Sequence, residues 1–355
     1  MKSEKITGFR KFLKIPCIVL LIGSLLRAAT DRTFSSYLKS EVLMENNIFE
    51  SDSNRTDDNA GQFWGGILIN QTNDRSSRRI SLIGNYSAYF QNPEENKLIT
   101  TGNWQYYLAL SPKLFFKSQA NLLTKWWQNA SNAYSDVDLS ANIGARFGKS
   151  VAQVGAYYQN NWFRFAQRFN STQIGVVGEL QFQPAEAWTL SGKSSILKID
   201  YPNRQVYHDP DTSSVTYNLQ RDIVLFGQIG FEHRKKWIAG GSLRFSYLGS
   251  NSRYSSFANA SVQIYATRKI RRLLLQMIAE FQLKRYLDDP SERAIYYNPD
   301  PEQNVQNQIF VGWENELIGG LSLTGKFAFF RNETQYSGIY YNKWFASVGL
   351  QYRFE

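Results

Sequence analysis

The side chains suited to acid–base, nucleophilic or metal chemistry are scarce in this chain. It has two histidines, His208 and His233, and one cysteine, Cys17. A Ser/His/acid or Asp/His set would need one of those imidazoles beside a nucleophile or a carboxylate. In the strand order that the alternation predicts, His208 lies in a long loop and His233 in a short turn. These are opposite ends of the molecule, so the two can share neither a metal nor a triad. Acidic residues gather as Asp52, Asp57 and Asp58, and again as Asp288, Asp289, Asp300 and Glu302. Their spacing is not that of a calcium loop. Solvated loop charge is the expectation, with bridging by a divalent cation as the alternative. No glycine-rich phosphate loop follows a strand and opens a helix. The residues therefore predict no enzyme, no cofactor and no metal site.

A second set of charges has a different logic. Lys117, Asp136, Asp138, Arg146, Glu179, Lys193, Arg244, Glu280, Lys284, Glu314, Glu316, Lys326 and Arg353 all lie within alternating segments, opposite apolar neighbours. From Tyr134 to Phe147, for example, Asp136, Asp138, Asn142 and Arg146 oppose Val137, Leu139, Ala141, Ile143 and Phe147. A charge on a lipid-facing strand surface costs about 2–4 kcal/mol near the bilayer midplane, so these residues are expected to face a wet interior. There they either meet a solute or form a salt-bridge lattice that stiffens the wall. Both signs are present, which predicts no strong ion selectivity.

The elements that would position them are strands. From Trp344 to Phe354 every second residue is apolar or aromatic: Trp344, Ala346, Val348, Leu350, Tyr352 and Phe354. A tilted strand crosses a bilayer with about 9–11 residues, one face greasy and the other wet. The same alternation recurs at 37–44, 62–70, 79–90, 103–110, 114–126, 134–147, 151–162, 172–183, 187–199, 215–231, 237–248, 257–267, 271–286, 305–317 and 321–330. These segments predict an all-β, closed antiparallel transmembrane barrel of about sixteen strands. The first hairpin is the weakest, and without it the count would be fourteen, with residues 30–77 forming a periplasmic tail. Connections alternate short (111–113, 148–150, 184–186, 232–235, 269–270, 318–320) and long (45–61, 127–133, 201–214, 249–256, 287–304, 331–342). Short periplasmic turns and long outer loops are the asymmetry of bacterial outer-membrane barrels. Trp104, Trp126, Trp188, Trp237, Trp313 and Trp344 read as an interfacial girdle near strand ends.

Composition agrees with this reading. Mean hydropathy is −0.42, yet aromatics make up 15%, with 21 Tyr, 24 Phe and 9 Trp. A secreted β-sandwich would share that composition but has no reason to alternate its connections. Residues 1–14 are basic, Ile15 to Leu26 is apolar, and Ala28-Ala29 follow Arg27. This is a signal-peptide pattern, predicting export, cleavage near Ala28 or Ala29, and a barrel over residues 30–355. Six basic residues against one acidic in residues 1–29 account for +5 of the formal +10. The remainder is spread along the chain, with no basic cluster in a nucleic-acid motif, so nucleic acid is not an expected partner. Cys17 belongs to the targeting segment. It follows Lys14-Ile15-Pro16 rather than a lipobox, and leaves the exported chain without a disulfide.

The stretch Ser36 to Asn70, SYLKSEVLMENNIFESDSNRTDDNAGQFWGGILIN, resembles the opening hairpin of β-barrel porin-2-type outer-membrane proteins. The terminal Tyr352-Arg353-Phe354 resembles the C-terminal signal read by the barrel-assembly machinery, with Glu355 added after the aromatic. The first resemblance implies association with exopolysaccharide or other envelope export and its components, and the second implies the assembly machinery as a partner; the barrel reading itself adds outer-membrane lipid and lipopolysaccharide. The functional expectation is a channel for small solutes or a secreted polymer. The alternative is a non-conducting structural or adhesion barrel.

Overall fold

The computed structural model describes residues 31–50, 53, 55–128, 133–206, 218–252, 255–287, 307–333 and 339–354. The targeting segment, His208, Asp52 and the acidic residues of 288–302 lie outside these.

Sixteen strands form one closed antiparallel barrel. They are β1 (Asp31–Glu45), β2 (Asp58–Thr72), β3 (Ser76–Tyr89), β4 (Lys97–Ala109), β5 (Leu114–Trp127), β6 (Tyr134–Phe147), β7 (Ser150–Phe163), β8 (Ser171–Ala185), β9 (Trp188–Gln205), β10 (Leu219–Arg234), β11 (Ile238–Ser250), β12 (Phe257–Ile270), β13 (Leu273–Tyr286), β14 (Gln308–Ile318), β15 (Leu321–Glu333) and β16 (Tyr340–Phe354). Each strand pairs with its chain neighbours, and β1 pairs with β16 from Ser36↔Phe354 to Glu45↔Phe345 to close the ring. β1 also pairs with β2 along its whole length. The first hairpin is therefore wall, which settles the strand number at sixteen rather than fourteen.

Closure leaves no open sheet edge where neighbouring strands overlap, so ladder groups there find partners without water. The period-2 pattern then sorts side chains by face. Leu38, Val42, Ile67, Leu82, Ile143, Val176, Ile196, Ile229, Val262, Phe281 and Val348 stand exposed on the outside, whereas Glu41, Asn85, Lys125, Asn142 and Ser347 are buried on the inside. A water-soluble fold inverts this arrangement.

The two ends differ as the spacing predicts. Turns at one end are short and use left-handed backbone: Gly148 (φ 57°), Arg271 (φ 53°), Gly319 (φ 50°) and Gly320 (φ 81°). Longer connections lie at the other end. Strand ends depart from the sequence reading where polar residues continue a ladder. β1 begins at Asp31, and β15 runs on to Glu333. The expected turn at 232–235 is mostly strand, because β10 runs to Arg234. His233 thus belongs to a strand rather than a turn.

At several points neighbouring backbones come too close for a side chain. A Cβ on Gly349 would lie 2.7 Å from the Cα of Glu41 across the closing seam, and one on Gly175 would lie 2.8 Å from the Cα of Leu197. Glycine permits this approach.

The apolar clusters sit at the long-loop mouth, against the inner wall. Ile48, from the β1–β2 connection, packs on Leu43, Ala60, Tyr89 and Phe345. Phe169, from the β7–β8 connection, packs on Tyr134 and Phe163, beside Leu123 and Trp127. Two loops therefore fold inward over the mouth. Asn47 Nδ2 donates to the Asn342 carbonyl (2.9 Å), and the Asn46 side-chain oxygen accepts from the Trp344 amide (2.6 Å), fastening the first loop across the seam.

Asp58 corrects the expectation of solvated loop charge. It is buried and accepts from the Asn59 amide (2.7 Å) and from both the amide (2.9 Å) and Nδ2 (2.9 Å) of Asn92. Its carboxylate ties the start of β2 to the β3–β4 connection, giving those donors an acceptor.

Candidate functional site

Alternation along each strand points the thirteen charges singled out by sequence into the barrel, on the face opposite the exposed apolar side chains. They fall into separate groups around the wall.

At the seam, Glu41 of β1 is the hub. Its carboxylate meets Lys326 Nζ of β15 (2.7 Å) and Lys39 Nζ (2.8 Å), and accepts from Trp64 Nε1 (2.9 Å) and the Ser347 hydroxyl (3.0 Å). Nearer the loops, Lys343 bridges Glu45 (2.7 Å) and Glu50 (3.0 Å), and the Tyr89 hydroxyl donates to Glu45 (3.0 Å). These groups border a cavity of about 250 Å³ that also touches Trp64, Tyr341 and Phe345.

Around the β11–β15 sector, Arg244 pairs with Glu280 (2.9 Å) and also donates to Gln263 (2.7 Å). Lys284 pairs with Glu333 (2.7 Å), which accepts from the Tyr286 hydroxyl (2.8 Å). At the short-turn rim Arg353 pairs with Glu314 (2.7 Å), and Glu316 lies in the same rim cavity with Lys269 and Arg272. Six of the thirteen, Lys326, Arg244, Glu280, Lys284, Glu314 and Arg353, are thus ion-paired along the wall.

The β5–β9 sector is different. Asp138 accepts from Asn121 Nδ2 (2.6 Å), and Asp136 from Gln159 Nε2 (2.9 Å). Glu179 accepts from Gln153 and from Gln181 (2.8 Å). Here amide side chains supply the hydrogen bonds to these carboxylates. Lys117 and Arg146, with Arg79 of β3, line a cavity of roughly 530 Å³ toward the short-turn end. Arg146 Nη2 donates to the Tyr107 hydroxyl (2.7 Å). Lys193, on β9, stands in register with Glu179 and Gln228.

Sequence reasoning missed Glu41, Lys39, Glu45, Trp64, Arg79 and Lys343. The signal was present: Lys39, Glu41 and Glu45 alternate with Leu38, Val42 and Met44. Glu50 had no such signal, since its position depends on the fold of the loop.

Among the six tryptophans, Trp126 and Trp344 stand toward the long-loop ends of their strands. Trp188 begins β9, and Trp237 directly precedes β11. Trp104 and Trp313 correct the girdle assignment, because both lie in the middle third of their strands. Trp313 fills the space over Gly325, and Trp104 stacks on Tyr106 at 6.1 Å. His233 packs against Trp188, with ring centroids 4.7 Å apart and planes tilted by 54°, on the outer face away from the interior carboxylates. Among the described residues, no group of three or more His, Cys, Asp or Glu is arranged to hold a metal.

No protein-family model and no curated protein matches the chain. Solved structures do. OmpT, an outer-membrane protein of Vibrio cholerae in its trimer form, aligns over 92% of this chain and 100% of its own, at 8% identity and a TM-score of 0.44. The Ralstonia pickettii toluene transporter TbuX aligns over 93% and 91%, at 9% identity and 0.38. A deltaS2 mutant of the monoaromatic hydrocarbon channel TodX aligns over 93% and 91%, at 9% identity and 0.42. Ring closure, the outward apolar band and the short-turn/long-loop asymmetry make this chain a sixteen-stranded β-barrel of the outer-membrane type.

Proposed function

We propose that this barrel is a non-enzymatic outer-membrane channel through which small hydrophilic solutes diffuse. The observation that supports it most is the inner wall, which carries polar and charged side chains around the whole ring. A sixteen-stranded ring leaves room for an aqueous lumen, and a polar lining keeps that lumen wet. Ile48 and Phe169, packed inward from the β1–β2 and β7–β8 connections, narrow the mouth. They favour small solutes over a polymer.

Residues 1–29 would direct export. Tyr352 and Phe354 would present the C-terminal aromatic pattern to the assembly machinery, and the outer band would contact lipid and lipopolysaccharide.

Liposome swelling tests the reading. Vesicles holding the refolded protein should swell in isotonic arabinose and more slowly in larger sugars. Vesicles that stay inert in every sugar would contradict it.

A further inference from the structure

Several interior cations meet a carboxylate, as Lys39, Arg244, Lys284, Lys326, Lys343 and Arg353 do. Arg79, Lys117 and Arg146, from β3, β5 and β6, share the cavity of roughly 530 Å³ at the short-turn end. None of the three has an ion-pair partner among the described residues. Arg146 spends one donor on the neutral Tyr107 hydroxyl (2.7 Å). The cavity's one carboxylate, Glu179, is engaged by the amides of Gln153 and Gln181. Its lining therefore carries more cations than carboxylates.

The rings beside it give the site shape. Tyr107 and Phe115 stack at 5.3 Å with 30° between planes, and the Arg146 guanidinium lies 5.7 Å from the first ring and 5.9 Å from the second. Phe115 is seated over Gly144, the inward glycine next along β6 from Arg146. This seat fixes the ring pair and, through it, the guanidinium.

We infer that this cavity is a binding subsite for a small oxyanion-bearing solute, a phosphate or carboxylate compound. Guanidinium forks suit planar or tetrahedral oxyanions, and an ammonium adds a point charge. The volume lies within the range of small-molecule sites. The Tyr107–Phe115 pair offers an apolar wall for the remainder of the solute. The subsite deepens the channel reading and rests on solutes entering the lumen.

The test is calorimetric titration of detergent-refolded protein with inorganic pyrophosphate at low ionic strength. Wild type should bind saturably, and the affinity should fall as salt rises. The Arg79→Gln/Lys117→Gln pair should weaken binding by about tenfold or more. Glu179→Gln should tighten it, which keeps the test decisive if the double variant fails to fold. No saturable heat in wild type, or equal affinity in all three proteins, would overturn the subsite. Binding in a protein that is silent in bilayers would sink the channel reading alone. Conduction without binding would sink the subsite alone.

Discussion

Lys326 of β15 reaches past β16 to Glu41 of β1, with 2.7 Å between Nζ and Oε1. The two residues lie at opposite ends of the chain, and the Glu41 side chain is wholly buried. Their contact spans the seam on which closure depends. Removing one member leaves the other with an uncompensated charge, a loss of about 3–5 kcal/mol for a buried pair. Glu41 also keeps Lys39 (2.8 Å), so Lys326→Met should fall toward the lower end of that range. The double variant Glu41→Gln/Lys326→Met should cost less than the sum of its singles. Urea unfolding in lipid, followed by tryptophan emission, measures all three.

The close backbone approaches make a second prediction. A Cβ on Gly155 would meet the Ala141 carbonyl and lie 2.7 Å from the Cα of Asn142, whereas one on Gly84 would meet nothing within 4 Å. Gly155→Ala must push strands apart and should cost about 1–3 kcal/mol. Gly84→Ala should stay within about 0.5 kcal/mol of wild type. Paired urea midpoints decide the matter.

Adjacent residues on β9 test the assignment of faces. Ile196 stands exposed on the outside, and Ser195 faces the interior. Ile196→Arg should destabilise the barrel by about 2–4 kcal/mol if it lies near the bilayer midplane. Ser195→Arg should fold with wild-type yield and lower conductance. Reversed outcomes would mean that inside and outside are wrongly assigned.

The first loop should act as a restriction. Ile48 is buried against Leu43, Ala60 and Tyr89, and Glu50 is held by Lys343 (3.0 Å). Ile48→Ser combined with Glu50→Ala should free the loop and give a larger or noisier open conductance. Heat-modifiable migration on gels should remain, because the sixteen-strand ladder is untouched.

Much of this architecture is legible in the sequence. A period of two is a local property, so the alternation at Trp344–Phe354 or Tyr134–Phe147 reports its two faces directly. Strand ends were less legible because polar residues such as Asp31 and Glu333 join a ladder without any apolar signal of their own. The site divides along the same line. Side-chain direction follows from alternation, so the inward set could be named. Partner choice depends on which strands become neighbours and at what register. Lys326 meeting Glu41 requires β1 and β16 to close, and Arg79 joining Arg146 requires four consecutive strands in register. Burial of Asp58 depends on how the β3–β4 connection folds against the start of β2. None of these is encoded in a single segment.

The central claim is a closed ring that encloses a water-filled path. Single-channel recording in planar bilayers, using protein refolded to its heat-modifiable form, tests it most directly. The account predicts discrete, stable conductance steps whose current rises in proportion to voltage. Persistent silence from correctly folded protein would contradict it.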